Sequence, residues 1–184
     1  MTKIVTIFGS ARVKEGELEY KSAFELGKAL AETGFMICNG GYGGIMEASA
    51  KGAKSVGGKT IGVIVDTFSR TPNNYIDEAI IKNNLLERLQ KLIELGDAYI
   101  VLKGGTGTLA ELAIAWEFMN KGLMEEKPII ILNNFWEPVV KTLKDELAWE
   151  GLENCTKYVL KVNSPKECVE VLQHKFGLGK SNFF

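Results

Sequence analysis

Eight consecutive residues, Gly104-Gly105-Thr106-Gly107-Thr108-Leu109-Ala110-Glu111, set three glycines, two hydroxyls and a carboxylate between an apolar run of strand length and a helical pattern. Glycines let a backbone approach a ligand closely and adopt positive φ. The first N–H groups of the following helix lack intrahelical acceptors and carry the positive end of its macrodipole. Such a turn suits a phosphate. Glu111 then has two readings. It closes a capping box on Thr108, reaching back to the N-cap amide, or it faces the sugar attached to that phosphate. Arg88 lies at the start of the helix that leads into the same strand, the end of the helix nearest the ligand-binding edge of a parallel sheet. Beside Glu87 it also reads as an ordinary solvated charge.

Other chemistry is thinly provided. His174 is the single histidine, so acid–base work near neutral pH falls to carboxylates, arginine or lysine. Cys38, Cys155 and Cys168 are far apart and without ligand spacing, which predicts buried free thiols and neither a metal site nor a disulfide framework. Gly40-Gly41-Tyr42-Gly43-Gly44 follows the second strand and lacks the spacing of a dinucleotide fingerprint, so it reads as a second backbone wall for a nucleotide pocket. Neither glycine turn is followed by Gly-Lys-Ser or Gly-Lys-Thr, which argues against a P-loop. A formal charge of −1 disfavours a nucleic-acid partner. No apolar stretch approaches the ~20 residues of a membrane span. The start of the chain enters a strand pattern with no leader-like segment, so a cytoplasmic location is expected.

The elements that must position these residues follow from periodicity. Residues 3–8 form a β-branched run ending in Gly9-Ser10-Ala11-Arg12, a first strand and its exit turn. Ala23, Leu26, Gly27 and Leu30 then repeat at helical spacing and stop at Gly34. Residues 35–38 are a second strand, 45–53 a helix of small residues that can pack close to a sheet, and Thr60–Val65 a third strand. Residues 66–83 read as a long loop beside a site. A helix from about Asn84, with Leu85, Leu89 and Leu92 inward, ends at Gly96-Asp97 and gives way to the central strand.

The helix after the glycine turn, expected over 108–120, is apolar nearly all round: Leu109, Leu112, Ile114, Trp116, Phe118 and Met119 cannot all face one sheet. Its second face predicts contact with another subunit, with cover from residues 66–83 as the alternative. Further on come a strand over Ile129–Leu132, a helix starting near Trp136-Glu137-Pro138 and a strand over 158–162. A last helix over about 165–176 is opened by Ser164-Pro165-Lys166-Glu167. The tail, 177–184, is expected to be loose or to dock late.

Alternation of strands and helices predicts an α/β chain: one domain over 1–184 with a three-layer Rossmann-like fold, its mostly parallel sheet of six or seven strands flanked by helices. In the strand order 3-2-1-4-5-6 the first and fourth strands meet at the switch point, and their exit turns open into one crevice.

These residues resemble a known family. Gly104-Gly105-Thr106-Gly107-Thr108-Leu109-Ala110-Glu111 is similar to the PGGxGTxxE signature of the LOG (lonely guy) proteins, often labelled lysine-decarboxylase-like. Arg88 falls where that family keeps an arginine. Phe8-Gly9-Ser10-Ala11-Arg12 and Gly44-Ile45-Met46-Glu47-Ala48 resemble its N-terminal blocks, the likeness running from about residue 3 to about 175. The resemblance implies a homodimeric enzyme that hydrolyses the N-glycosidic bond of a purine nucleoside 5′-monophosphate, of AMP type and including N6-substituted cytokinin nucleotides. It also implies roles: Gly104, Gly105, Thr106, Gly107 and Thr108 hold the phosphate, Glu111 and Arg88 are catalytic, and Gly9, Ser10, Gly41 and Met46 line the nucleotide pocket. No cofactor is expected. Pyridoxal phosphate, which the decarboxylase label would need, has no lysine singled out for it.

Two departures from the signature concern charge. Lys103 replaces its leading proline, and Leu89 replaces the lysine that usually follows the arginine. Lys103 is expected to return a positive charge near the phosphate. The competing reading is a binding protein of the same fold, a nucleotide or molybdenum-cofactor carrier that keeps the cradle without hydrolysis.

Overall fold

The computed structural model describes residues 2–66 and 71–178. Seven strands form one sheet: β1 (Ile4–Phe8), β2 (Met36–Asn39), β3 (Thr60–Val65), β4 (Glu78–Lys82), β5 (Ala98–Val101), β6 (Ile129–Leu132) and β7 (Val159–Val162). Their order is β4-β3-β2-β1-β5-β6-β7, and every neighbouring pair is parallel. This is the expected 3-2-1-4-5-6 arrangement with one strand added at an edge. The helices between them are α1 (Leu18–Glu32), α2 (Ile45–Lys54), α3 (Leu85–Leu95), α4 (Thr106–Asn120), α5 (Glu137–Trp149) and α6 (Pro165–Lys175).

Strand alternation divides the core into two layers. Val5 and Ile7 of β1, Ile100 of β5 and Ile130 of β6 face α1, α2 and α6. Phe8, Tyr99, Val101, Ile129 and Ile131 face the opposite way, toward Leu92 of α3 and Leu112, Ala115 and Trp116 of α4. Both faces of each central strand are buried, which is why β5 and β6 read as unbroken apolar runs. On the first face α1 and α2 pack backbone against backbone. A Cβ at Gly27 would overlap the Ser49 carbonyl, and one at Gly52 would overlap that of Phe24.

Three expectations need correction. The segment 66–83 is not all loop, because β4 occupies its end and pairs with β3 from Ile61↔Glu78 to Val65↔Lys82. Leu85 does not point inward: it is 54% exposed, while Leu92 is buried and Leu89 partly so. The helix after the glycine turn begins at Thr106, two residues earlier than read. The hydrogen bonds of the described part of the 66–83 segment run from Asn73 to Gly41 and Tyr42, and between Tyr75, Asp77 and Thr60. Two caps came out as expected. Gly34 takes φ +87° after α1, and Ser164 Oγ accepts the Glu167 amide at the start of α6. Residues 67–70 and the tail from 179 lie outside the described residues.

Candidate functional site

The switch point between β1 and β5 sets the site. Leu102 N donates to the Phe8 carbonyl at 2.9 Å, Ser10 N to the Lys103 carbonyl at 3.0 Å, and Ile45 N to the Ser10 carbonyl at 2.9 Å. These bonds tie the exit turn of β1 to the exit of β5 on one side and the start of α2 on the other. Between them lies a cavity of about 440 Å³, lined by Gly9, Ser10, Ala11, Arg12, Tyr42, Met46, Arg88, Gly105, Thr106, Gly107, Thr108 and Glu111.

The earlier start of α4 changes the reading of its first turn. Gly105 is the N-cap, and no side chain caps the helix. Thr108 is therefore the third helical residue, and no capping box joins it to Glu111. The amides of Thr106, Gly107 and Thr108 stand at the open positive end of α4, inside the cavity. None of Gly104, Gly105 and Gly107 uses positive φ, so conformation does not explain them. Space does: a Cβ on Gly104 would overlap Thr108 Oγ1, whereas Cβ atoms on Gly105 or Gly107 would meet nothing within 4 Å. Gly104 serves packing beneath the turn; Gly105 and Gly107 keep the cavity floor clear.

Arg88, in the first turn of α3, and Glu111, in the second turn of α4, meet across this cavity. Arg88 Nη1 lies 3.9 Å from Glu111 Oε1, with the two side chains 11% and 15% exposed. That spacing couples the charges but is too long for a hydrogen bond, so both groups retain hydrogen-bonding capacity for a ligand. Arg88 is held from behind. Its Nε donates to the Val63 carbonyl at 2.7 Å, its Cζ stands 5.7 Å from the centre of the Tyr42 ring, and Nη2 lies 4.0 Å from Met46 Sδ. Gly40 makes this placement possible, because a Cβ there would overlap the guanidinium and sit 2.6 Å from Met46 Sδ. Asn84 Oδ1 caps α3 by accepting the Glu87 amide at 2.9 Å and so fixes the turn from which Arg88 extends. Burial raises the Glu111 carboxyl to about 7, a rise that the attraction of Arg88 opposes without cancelling. Among the groups lining the cavity, Glu111 is thereby the candidate for proton exchange near neutral pH.

Most of the residues named from the sequence converge here: Gly9, Ser10, Met46, Arg88, Gly105, Thr106, Gly107, Thr108 and Glu111 all line the cavity. Gly104 and Gly41 do not. Gly41 lies behind the wall, its carbonyl accepting from Asn73, and Tyr42 faces the cavity in its place. Lys103 does not return charge to the glycine turn: its Nζ pairs with Glu19 at 2.6 Å, beside a separate cavity. Leu89 packs with the apolar layer of α3 and α4. Ala11, Arg12 and Tyr42 were missed as lining residues. Their place in the two glycine-bearing turns was the available signal. The three thiols are free and buried, and no acidic, histidine or cysteine cluster able to hold a metal occurs among the described residues.

A parallel sheet in this order, with a glycine-cleared helix N-terminus and an Arg–Glu pair lining one cavity at its switch point, defines a Rossmann-like fold. The comparisons narrow this. Residues 2–169 match the model of the SLOG cluster4 family, and the chain belongs to that family. It is 35% identical over 132 residues to a cytokinin riboside 5′-monophosphate phosphoribohydrolase of Mycobacterium tuberculosis, covering 70% of each chain. It is 30% identical over 155 residues to one of the same name from Rhodococcoides fascians, covering 81% of this chain and 77% of that one. Among solved structures, a molybdenum cofactor binding protein from Rippkaea orientalis superposes with a TM-score of 0.75 at 27% identity, over 96% of this chain and 98% of that one. The molybdenum cofactor carrier protein of Chlamydomonas reinhardtii does so with a TM-score of 0.77 at 23% identity, over 96% and 99%.

Proposed function

We propose that this protein is a phosphoribohydrolase that adds water across the N-glycosidic bond of purine nucleoside 5′-monophosphates, releasing free base and ribose 5-phosphate. The substrates are AMP-type nucleotides, with N6-substituted cytokinin nucleotides as candidates. One observation carries the reading: Arg88 and Glu111 face each other in the same cavity as the uncapped amides of α4. The names of the relatives at 30% and 35% identity support it.

In this reading the amides of Thr106, Gly107 and Thr108 bind the 5′-phosphate. The ribose then lies toward Glu111, one turn deeper. As the bond to the base breaks, positive charge grows on the anomeric carbon, and the Glu111 carboxylate stabilises it. The carboxylate also orients the attacking water. Arg88 directs the substrate and meets the electron density that the departing base takes with it. The base accepts one proton, and the anomeric carbon gains the hydroxyl.

The test incubates purified protein with AMP, GMP, CMP and N6-isopentenyl AMP and measures free base chromatographically. Base release abolished by both Arg88→Ala and Glu111→Ala supports the hydrolase. Nucleotide binding without release supports the carrier reading, which has in its favour the likeness to the Rippkaea orientalis protein at 27% identity.

The proposed assembly is a homodimer. Leu86 is 76% exposed, Leu85 and Ile81 are exposed as well, and Leu109, Ile114 and Phe118 of α4 are only partly covered. Sedimentation should give a dimer, and Leu86→Glu should shift it toward the monomer. The proposed location is the cytoplasm, where three free thiols are at home. No helix among the described residues is long and apolar enough to cross a membrane. Nucleic acid and membrane are not among the proposed partners.

A further inference from the structure

We propose that Arg12 binds the substrate's 5′-phosphate and sets the preference for nucleotide over nucleoside; this rests on the nucleotide reading of the cavity. The argument begins with charge. A phosphate monoester carries about −1.5 to −2 near pH 7, and a helix N-terminus offers the equivalent of roughly +0.5. More than one negative charge is left to neutralise. It also shares the cavity with Glu111, whose working carboxylate it would repel.

Among the described residues three cations come into consideration, and two of them have partners. Arg88 gives its Nε to the Val63 carbonyl and faces Glu111. Lys103 is paired with Glu19 outside the cavity. Arg12 lines the cavity together with residues 105–108, yet its guanidinium forms no hydrogen bond or ion pair with any described residue.

The backbone from which Arg12 extends is fixed. Ser10 Oγ accepts the Arg12 amide at 3.1 Å, and Ser10 itself is bonded through N to the Lys103 carbonyl, just past β5, and through O to Ile45 of α2. A guanidinium without a partner among the described residues, on an anchored turn that lines the same cavity as uncapped amides, is suited to bind a phosphate through charge-assisted bonds. Such a bond acts on nucleotides and on ribose 5-phosphate, and has nothing to hold in a nucleoside.

The experiment measures ribose 5-phosphate binding by calorimetry, and AMP hydrolysis where it occurs, for the parent protein, Arg12→Gln, Arg12→Lys and Lys103→Gln. Arg12→Gln should weaken ribose 5-phosphate binding and raise the KM for AMP by about 10- to 100-fold, with a much smaller change in kcat. Arg12→Lys should recover part of the loss. Lys103→Gln, which removes the same charge from outside the cavity, should behave as the parent. If the parent binds ribose 5-phosphate and Arg12→Gln binds it equally well, the proposal is overturned and the hydrolase reading stands. Should the parent bind the sugar phosphate in an Arg12-dependent way yet cleave no nucleotide, the hydrolase reading fails and the Arg12 assignment holds. A parent that binds no phosphate ester overturns both.

Discussion

Glu111→Gln should make the protein more stable and almost inactive, and pH should separate the two effects. In the folded chain the carboxyl titrates near 7 against an ordinary value of 4.5. The native state therefore keeps a proton that the unfolded chain releases between those values, so rising pH favours unfolding across that window. Above 7 the full penalty applies. At 1.36 kcal/mol per pH unit it amounts to about 3 kcal/mol. Glutamine keeps the shape and never ionises, so the penalty disappears. For a chain of this length roughly 2–4 °C of Tm accompanies each kcal/mol. The variant should therefore melt several degrees above the parent at pH 8, and the gap should shrink as pH falls toward 4.5. Over the same range the parent's kcat/KM should fall about tenfold per pH unit below about 7, because the carboxylate is the working form. The variant should lose at least about 100-fold in kcat. Calorimetric melts at pH 5 and pH 8, with base release measured alongside, provide the check. A variant no more stable than the parent at pH 8 would refute the burial argument; one that retains activity would remove the carboxylate from the mechanism.

Gly40→Ala puts a methyl group where the Arg88 guanidinium lies. It should lower kcat/KM at least about tenfold and cost roughly 1–3 kcal/mol in stability; unchanged kinetics would show that Arg88 need not occupy its present position. Asn84→Ala removes the side-chain cap of α3 and should cost about 1 kcal/mol, measured by urea unfolding.

The corrections share a cause: each depended on contacts remote in sequence. Strand β4, Glu-Ala-Ile-Ile-Lys, is short, mostly exposed and charged at both ends, so its residues show no alternation to read. It is a strand because β3 offers it an unpaired edge. Thr108 followed by Glu111 is a capping box by spacing, but the chain leaving β5 turns helical at Thr106 and overrides it. Lys103 was expected beside the phosphate from its neighbours in sequence. Its partner is Glu19, 84 positions away.

By itself the sequence determined a mostly parallel sheet with six of its strands, the helices and the caps at Gly34 and Ser164, the glycine turn after the central strand, and the likeness to a family that pairs Arg88 with Glu111. These are short-range signals: apolar period, turn chemistry and residue spacing act within a few positions. Only the tertiary structure decided that Gly40 clears the space for Arg88, that the Val63 carbonyl anchors it, and that Glu111 is buried enough to titrate near neutral pH. It also decided that Lys103 pairs with Glu19 while Arg12 has no ion-pair partner among the described residues. Desolvation and charge pairing are set by which side chains the fold brings together, and local spacing does not determine that.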